Sequence, residues 1–172
     1  AISTGAGGQV QGGSTITQQY VKQILLTAAT SKEEQEAATS VSINRKLREA
    51  RYAIALENKL SKKEILEGYL NIAYFGAGSY GVEIAARRYY STNADKLTLS
   101  QAATLAGLVQ NPSRFDPTQF PERAQNRRDD VLNAMVNTGY ITQEQADAAK
   151  AISVESDLDP AELPNGCTSS IA

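Results

Sequence analysis

Apolar residues along this chain recur at helical spacing in one segment after another, and no stretch sustains an alternation of period two. The first helix opens at Ser14/Thr15 and runs to about Thr27, with Ile16, Tyr20, Ile24 and Leu25 available for a buried side. Thr15-x-x-Gln18 has the spacing of a capping box. Residues 27–43 break the pattern. From Thr27 to Ser42 the chain is Ala, Thr, Ser, Glu and Gln with hardly any large apolar side chain, so a mobile, exposed excursion with some helix is expected. A long amphipathic helix follows from Asn44 to Leu60, where Leu47, Ala50 and Ile54 repeat beside the Ala53, Leu56 and Leu60 set.

Ser61-x-x-Glu64 is a second capping box and starts a helix from Lys62 to about Ile72, with Ile65, Leu66, Tyr69 and Leu70 as its apolar stripe. Gly76, Gly78 and Gly81 interrupt the periodicity before a helix over Val82–Tyr90. Thr98-x-x-Gln101 opens a short apolar helix, Ala102 to Val109, that stops before Asn111-Pro112. Pro121 stands at the first turn of a helix ending near Gly139, and Thr142-x-x-Gln145 caps a last one through Lys150. Residues 1–11 are small and glycine-rich and read as the end of a connection. Residues 152–172, rich in Ser, Asp, Pro and Gly, read as a linker leaving the domain. The domain between them, 12–151, is helical.

Length changes this picture little: 172 residues suffice for one domain with a proper core. Charge and composition remove whole classes of function. A net charge of −2 argues against a general nucleic-acid binder. No apolar run approaches the roughly 20 residues that cross a bilayer. The single cysteine, Cys167, has no partner within the chain. With no histidine, acid–base work within this chain falls to carboxylates, lysines or tyrosines, and His-ligated metal sites are excluded.

Four pieces carry candidate chemistry. In Gly12-Gly13-Ser14-Thr15-Ile16-Thr17-Gln18-Gln19, two glycines allow a sharp bend and close approach, and the helix that follows offers free N–H groups to a phosphate or carboxylate. Lys22 shares a face with Gln18. The plainer account is an ordinary glycine loop and helix start. Arg45, Lys46 and Glu49 meet on one helical face at i+3 and i+4 spacing, two cations beside one carboxylate. A solvated charged face would have the same spacing, with ion pairs contributing about 0.3–0.5 kcal/mol each. Lys63-Glu64-Ile65-Leu66-Glu67-Gly68-Tyr69-Leu70-Asn71 puts Glu67 and Asn71 one turn apart, where structural roles against the next loop are expected. Arg127-Arg128 reads as loop anchors or carboxylate partners, and Arg87-Arg88 before Tyr89-Tyr90 as a helix surface beside a core.

In this order and spacing the four pieces resemble the peptidoglycan glycosyltransferase family, the domain that begins class A penicillin-binding proteins and also occurs as monofunctional transglycosylases. The resemblance covers about residues 12–150. It implies a mainly α, lysozyme-like fold with a head lobe and a small membrane-facing jaw lobe. It implies an inverting enzyme that joins lipid II into β-1,4 glycan strands on the outer face of the bacterial plasma membrane, releasing undecaprenyl pyrophosphate. Ser14, Thr15, Gln18 and Lys22 would then wall the donor's phosphates and sugar, Arg45 and Lys46 would hold its pyrophosphate, and Glu49 would be the second functional carboxylate. Glu67 and Asn71 would support the site. No cofactor is required and no metal-ligand cluster is visible, though a divalent cation at the pyrophosphate could share Glu49.

One departure stands out. The family's first motif, Glu-Asp-x-x-Phe-x-x-His-x-Gly, is absent, and with it the Glu expected to deprotonate the acceptor's 4-hydroxyl. The chain is therefore expected to be a piece of a longer protein whose N-terminal part, with its membrane attachment, is missing, and not to polymerise alone. The tail resembles the connection towards a penicillin-binding transpeptidase domain, and Asn165-Gly166-Cys167 suggests a disulfide partner further on, as in some actinobacterial members. Two alternatives differ in kind. A glycan-cleaving lysozyme or lytic transglycosylase needs a raised-pKa Glu in its own motif, for which no context is found. A non-catalytic helical scaffold would not need the glycine loop and Arg-Lys-x-x-Glu together.

Overall fold

The computed structural model describes residues 14–40 and 42–161. The sequence expectations for Gly12, Gly13, Cys167 and the end of the tail lie outside the described residues. The chain divides into two compact units at Ile72/Ala73.

In the first unit, α1 (Ile16–Ala28) packs against α2 (Lys32–Thr39), α3 (Ile43–Glu57) and α4 (Lys62–Ile72). Each start has a local cause. Thr15 and Gln18 form the reciprocal capping box that the spacing predicts. Ser31 and Glu34 form another at α2, within the expected excursion, where only Ala38 is buried. The Ser42 hydroxyl accepts the Arg45 amide at 3.1 Å to start α3. Gly68 on α4 is a requirement of close packing, because a Cβ there would lie 2.5 Å from Cζ of Tyr20 on α1.

The buried faces match those the periodicity predicts at Ala53, Ile65 and Tyr69 and differ elsewhere. Thr17 and Val21 on α1, Glu49 and Ala53 on α3, and Ile65 and Tyr69 on α4 are buried. Ile16, Ile24, Leu47, Ile54 and Leu66, all expected inside, are exposed. The reason is visible on α3. Glu49 turns inward with its cations, and Leu47 and Ile54, nearly half a helical turn round from it, are left on the outer side.

The second unit begins with a tight loop closed by Phe75 N–H donating to Ser79 O (2.9 Å) and Gly81 N–H to Ala73 O (2.8 Å). It takes positive φ at Gly76, Ala77, Gly78 and Gly81. A Cβ on Gly76 would stand 3.0 Å from the Tyr89 hydroxyl, which donates to the Phe75 carbonyl at 3.1 Å. After the loop come α5 (Val82–Tyr90), a short 3-10 turn at Ala94–Lys96, α6 (Leu99–Leu108), α7 (Pro112–Phe115), α8 (Pro121–Asn137), α9 (Gln143–Lys150) and α10 (Val154–Asp157). The core joins Ala103 of α6, Leu132 of α8 and Ala146 and Ala149 of α9. Burying Leu132 completely contributes about 1.5–3 kcal/mol.

Arg128 on α8 is fully buried. Its guanidinium pairs with Asp129 (2.9 Å) and donates to Ser100 Oγ (3.2 Å), Lys150 O (3.2 Å) and Ile152 O (2.5 Å). It ties α6, α8 and the end of α9 together, as the anchoring reading predicts, and half-buried Arg127 adds a long contact of its own, donating to the Gly107 carbonyl of α6 at 3.4 Å.

The expected linker starts too early. Val154 is buried, its amide donates to Gln125 Oε1 at 3.2 Å, and Gln101 donates to Asp157 at 3.0 Å. Beyond α10, Asp159 N–H donates to Tyr89 O (3.0 Å) and Ala161 N–H to Arg88 O (3.1 Å), satisfying carbonyls that the end of α5 would otherwise leave open. Ser, Asp and Pro in this stretch serve the fold and do not release the chain from it. Among the described residues the secondary structure is helical apart from one isolated antiparallel bridge, Tyr74 to Tyr80.

Candidate functional site

The start of α1 and the first turns of α3 come together in the first unit. Lys46 Nζ donates to Ser14 Oγ at 2.6 Å, joining residues 32 positions apart. The same Lys46 lies 3.3 Å from Glu49 Oε2, while Arg45 pairs with Glu49 Oε1. Glu49 is 2% exposed, Arg45 11% and Lys46 50%, so the carboxylate is enclosed and the lysine is the reachable end of the cluster. Arg45 also donates through Nε to the Ser40 carbonyl, which fixes its plane. Both oxygens of the enclosed carboxylate are held by cations, which fixes Arg45 and Lys46 beside one another.

Ser14 is positioned from a second side. Gln19 Nε2 donates to the Ser14 carbonyl at 3.3 Å, and the Tyr69 hydroxyl donates to Gln19 Oε1 at 3.2 Å. Burial pushes the Tyr69 phenol up from its ordinary value, which keeps it a donor. Neither Gln19 nor Tyr69 stands out in the sequence: one sits inside a polar run, the other inside an apolar stripe. Thr17 donates to Glu57 at 2.6 Å and locks α1 to the far end of α3.

Two cations against one carboxylate leave an excess of one positive charge in this cluster. The first turn of α1 has no acidic residue, and its N-terminal dipole adds further positive potential. The Gln18 amide is taken by Thr15 Oγ1, leaving the first-turn amides of Ile16 and Thr17 outside the capping box. This is an arrangement for an anion.

The remaining expected site residues fall as follows. Thr15 is exposed at the N-cap, Gln18 and Lys22 are half-buried on α1, and Lys22 makes no ion pair among the described residues. Glu67 and Asn71 are exposed on α4, and their side chains make no hydrogen bond among the described residues, which differs from the expected fixing of the helix. No group of three His, Cys, Asp or Glu side chains gathers among the described residues. A divalent ion sharing Glu49 would compete with Arg45 and Lys46 for its two carboxylate oxygens.

The protein-family comparison matches residues 1–136 to the family described as Transglycosylase. Penicillin-binding protein 1A of Streptococcus pneumoniae is 44% identical over 140 residues, covering 81% of this chain and 18% of that protein. Penicillin-binding protein 1A of Aquifex aeolicus is 45% identical over 144 residues, covering 84% of this chain and 18% of that protein. The crystal structure of Penicillin-Binding Protein 1A from Haemophilus influenzae superposes with a TM-score of 0.52 at 28% identity, over 84% of this chain and 17% of that one. The chain thus spans less than a fifth of the length of these relatives.

Proposed function

Since the chain belongs to the transglycosylase family and has its mainly α, lysozyme-like fold, we propose that it is the peptidoglycan glycosyltransferase part of a bifunctional penicillin-binding protein. It polymerises lipid II into β-1,4 glycan strands at the outer face of the bacterial plasma membrane. The observation that carries this reading is the enclosed Glu49 with Arg45 and Lys46 on it, and Lys46 reaching Ser14 at the start of α1.

The leaving group in such a reaction is a lipid pyrophosphate, so negative charge grows on phosphate oxygens as the sugar–phosphate bond breaks. Lys46 and the first-turn amides of α1 supply positive charge where that growth occurs, and Glu49 keeps the cations from reorganising during the step. Ser14, Thr15, Gln18 and Lys22 line the donor side, with Gln19 and Tyr69 holding Ser14 from behind. The base that takes the acceptor's 4-hydroxyl proton belongs to another part of the longer protein, together with the membrane attachment and a transpeptidase domain.

The test gives fluorescent lipid II to the longer protein that carries this chain, with Lys46→Ala and Glu49→Gln alongside. Removing one preorganised charge contact lowers the rate roughly a hundredfold to a thousandfold, and both variants are expected in that range. Growth of strands at the parent rate in Lys46→Ala would refute the assignment of the phosphate wall. No strands from a well-folded parent would refute the activity.

A further inference from the structure

Two arginines of α3 close the end of α2. That helix spans eight residues, and only Ala38 of it is buried. A helix this short is not stable alone in water, so its place depends on what holds its ends. Its start is held by the Ser31/Glu34 capping box. Its last turn carries no basic residue of its own, and the carbonyls left open there are met from α3. Arg48 Nη2 donates to the Ala37 carbonyl at 3.0 Å, and Arg45 Nε donates to the Ser40 carbonyl. Both cations thereby also meet the negative end of the α2 dipole. Apolar packing does not replace these bonds: a cavity of about 240 Å³, lined by Leu25, Ala28, Ala37, Ala38 and Arg48 among others, remains between α1, α2 and α3.

The two arginines differ in what else they reach. Arg48 is exposed, and among the described residues it pairs with no carboxylate. Arg45 is nearly enclosed and also pairs with Glu49. With Nε on Ser40 and Nη1 on Glu49, the plane of its guanidinium is fixed and its Nη2 group is left for an anion. The Ser40 carbonyl can fix that plane only while the end of α2 stays in place, and Arg48 holds the carbonyl three residues before it. We propose that Arg48 is a positioning residue for the donor site, acting through the end of α2 and the Ser40 carbonyl on the orientation of Arg45. The proposal rests on the reading of Arg45 and Lys46 as the wall for the donor's pyrophosphate. A guanidinium whose plane is set before the substrate arrives has less to reorganise as charge grows on the leaving phosphate. One that swings loses part of that benefit, because small misplacements carry large losses in rate.

A double-mutant cycle in the longer protein tests this, with kcat/KM for fluorescent lipid II as the readout and far-UV circular dichroism to confirm each variant's fold. Arg48→Gln should lower kcat/KM about tenfold, the size of one lost charge-assisted hydrogen bond. Arg48→Lys should restore most of it, because the contact needs one charged donor on one carbonyl. In an Arg45→Gln background, adding Arg48→Gln should change nothing further. A residue that merely stabilised the unit would lower both backgrounds alike. Hydrogen exchange in the 172-residue chain reads the first link. The Ser40 amide, which donates to Glu36 O at 2.8 Å, should exchange faster in Arg48→Gln. A parent-like kcat/KM in Arg48→Gln, equal losses in both backgrounds, or unchanged exchange at Ser40 each overturns the proposal. Arg45→Gln at the parent rate, or a parent that makes no strands, would refute the phosphate wall and this proposal with it. A loss in Arg45→Gln with none in Arg48→Gln refutes the positioning role alone.

Discussion

Replacing Arg128 with Met tests how the second unit is held together. The guanidinium is fully buried, pairs with Asp129 and donates to Ser100 Oγ, Lys150 O and Ile152 O. Methionine keeps much of the volume, so the loss is polar. Two backbone carbonyls would be left buried or forced to find water, at about 1–3 kcal/mol each. Asp129 is a third exposed and can turn to solvent, so the ion pair itself adds little beyond this. The expected cost is about 3–5 kcal/mol, in line with breaking a buried pair by removing one partner. For a chain of this length that corresponds to a fall in Tm of roughly 6–20 °C. Arg128→Lys should recover only part of the loss, because a compact ammonium cannot span the separated acceptors that the planar guanidinium fork reaches. Urea unfolding followed by circular dichroism, with parent, Met and Lys variants at one pH, measures this. A loss below about 1 kcal/mol for Met would refute the claim that these carbonyls depend on Arg128.

Two further outcomes follow from the second unit. Ser79 is fully buried and its hydroxyl has no hydrogen-bond partner among the described residues, so Ser79→Ala should leave Tm unchanged or raise it. A clear fall in Tm would show that the hydroxyl has a partner. Burial above all pushes the Tyr89 and Tyr90 phenols well above the ordinary 10.0, so the folded unit keeps protons that the unfolded chain releases. This stabilisation is complete below about pH 10 and declines as pH rises past it, and Tyr90→Phe should flatten the decline in urea midpoints measured from neutral to alkaline pH. Midpoints in the parent that stay level through this range would contradict it.

What was legible in the sequence was local. Capping boxes at Thr15/Gln18, Thr98/Gln101 and Thr142/Gln145 form as spaced, because both partners lie within one turn and need nothing from the rest of the fold. The Arg45, Lys46 and Glu49 contacts were legible for the same reason. Burial was not. Periodicity finds an apolar face on α3 but does not say whether that face meets protein, and here Glu49 and Ala53 point inward while Leu47 and Ile54 do not. Long-range contacts were equally out of reach. Nothing near Lys46 announces Ser14, and nothing in a Ser-, Asp- and Pro-rich tail announces that Asp159 and Ala161 close the end of α5.

That closure has a mechanical meaning. Tension applied to the chain at Ala161 does not act first on α10. It meets the bonds from Ala161 and Asp159 to the Arg88 and Tyr89 carbonyls, with Arg88 reaching back to the Ala161 carbonyl and Ser91 Oγ donating to Asp159 O at 2.7 Å. The load then enters α5, whose other end is rooted in the Gly76–Gly81 loop. A pull on Ala161 thus travels along a single helix to a loop with four positive-φ residues, and the clamp at Arg88 and Ser91 is the first contact it must open.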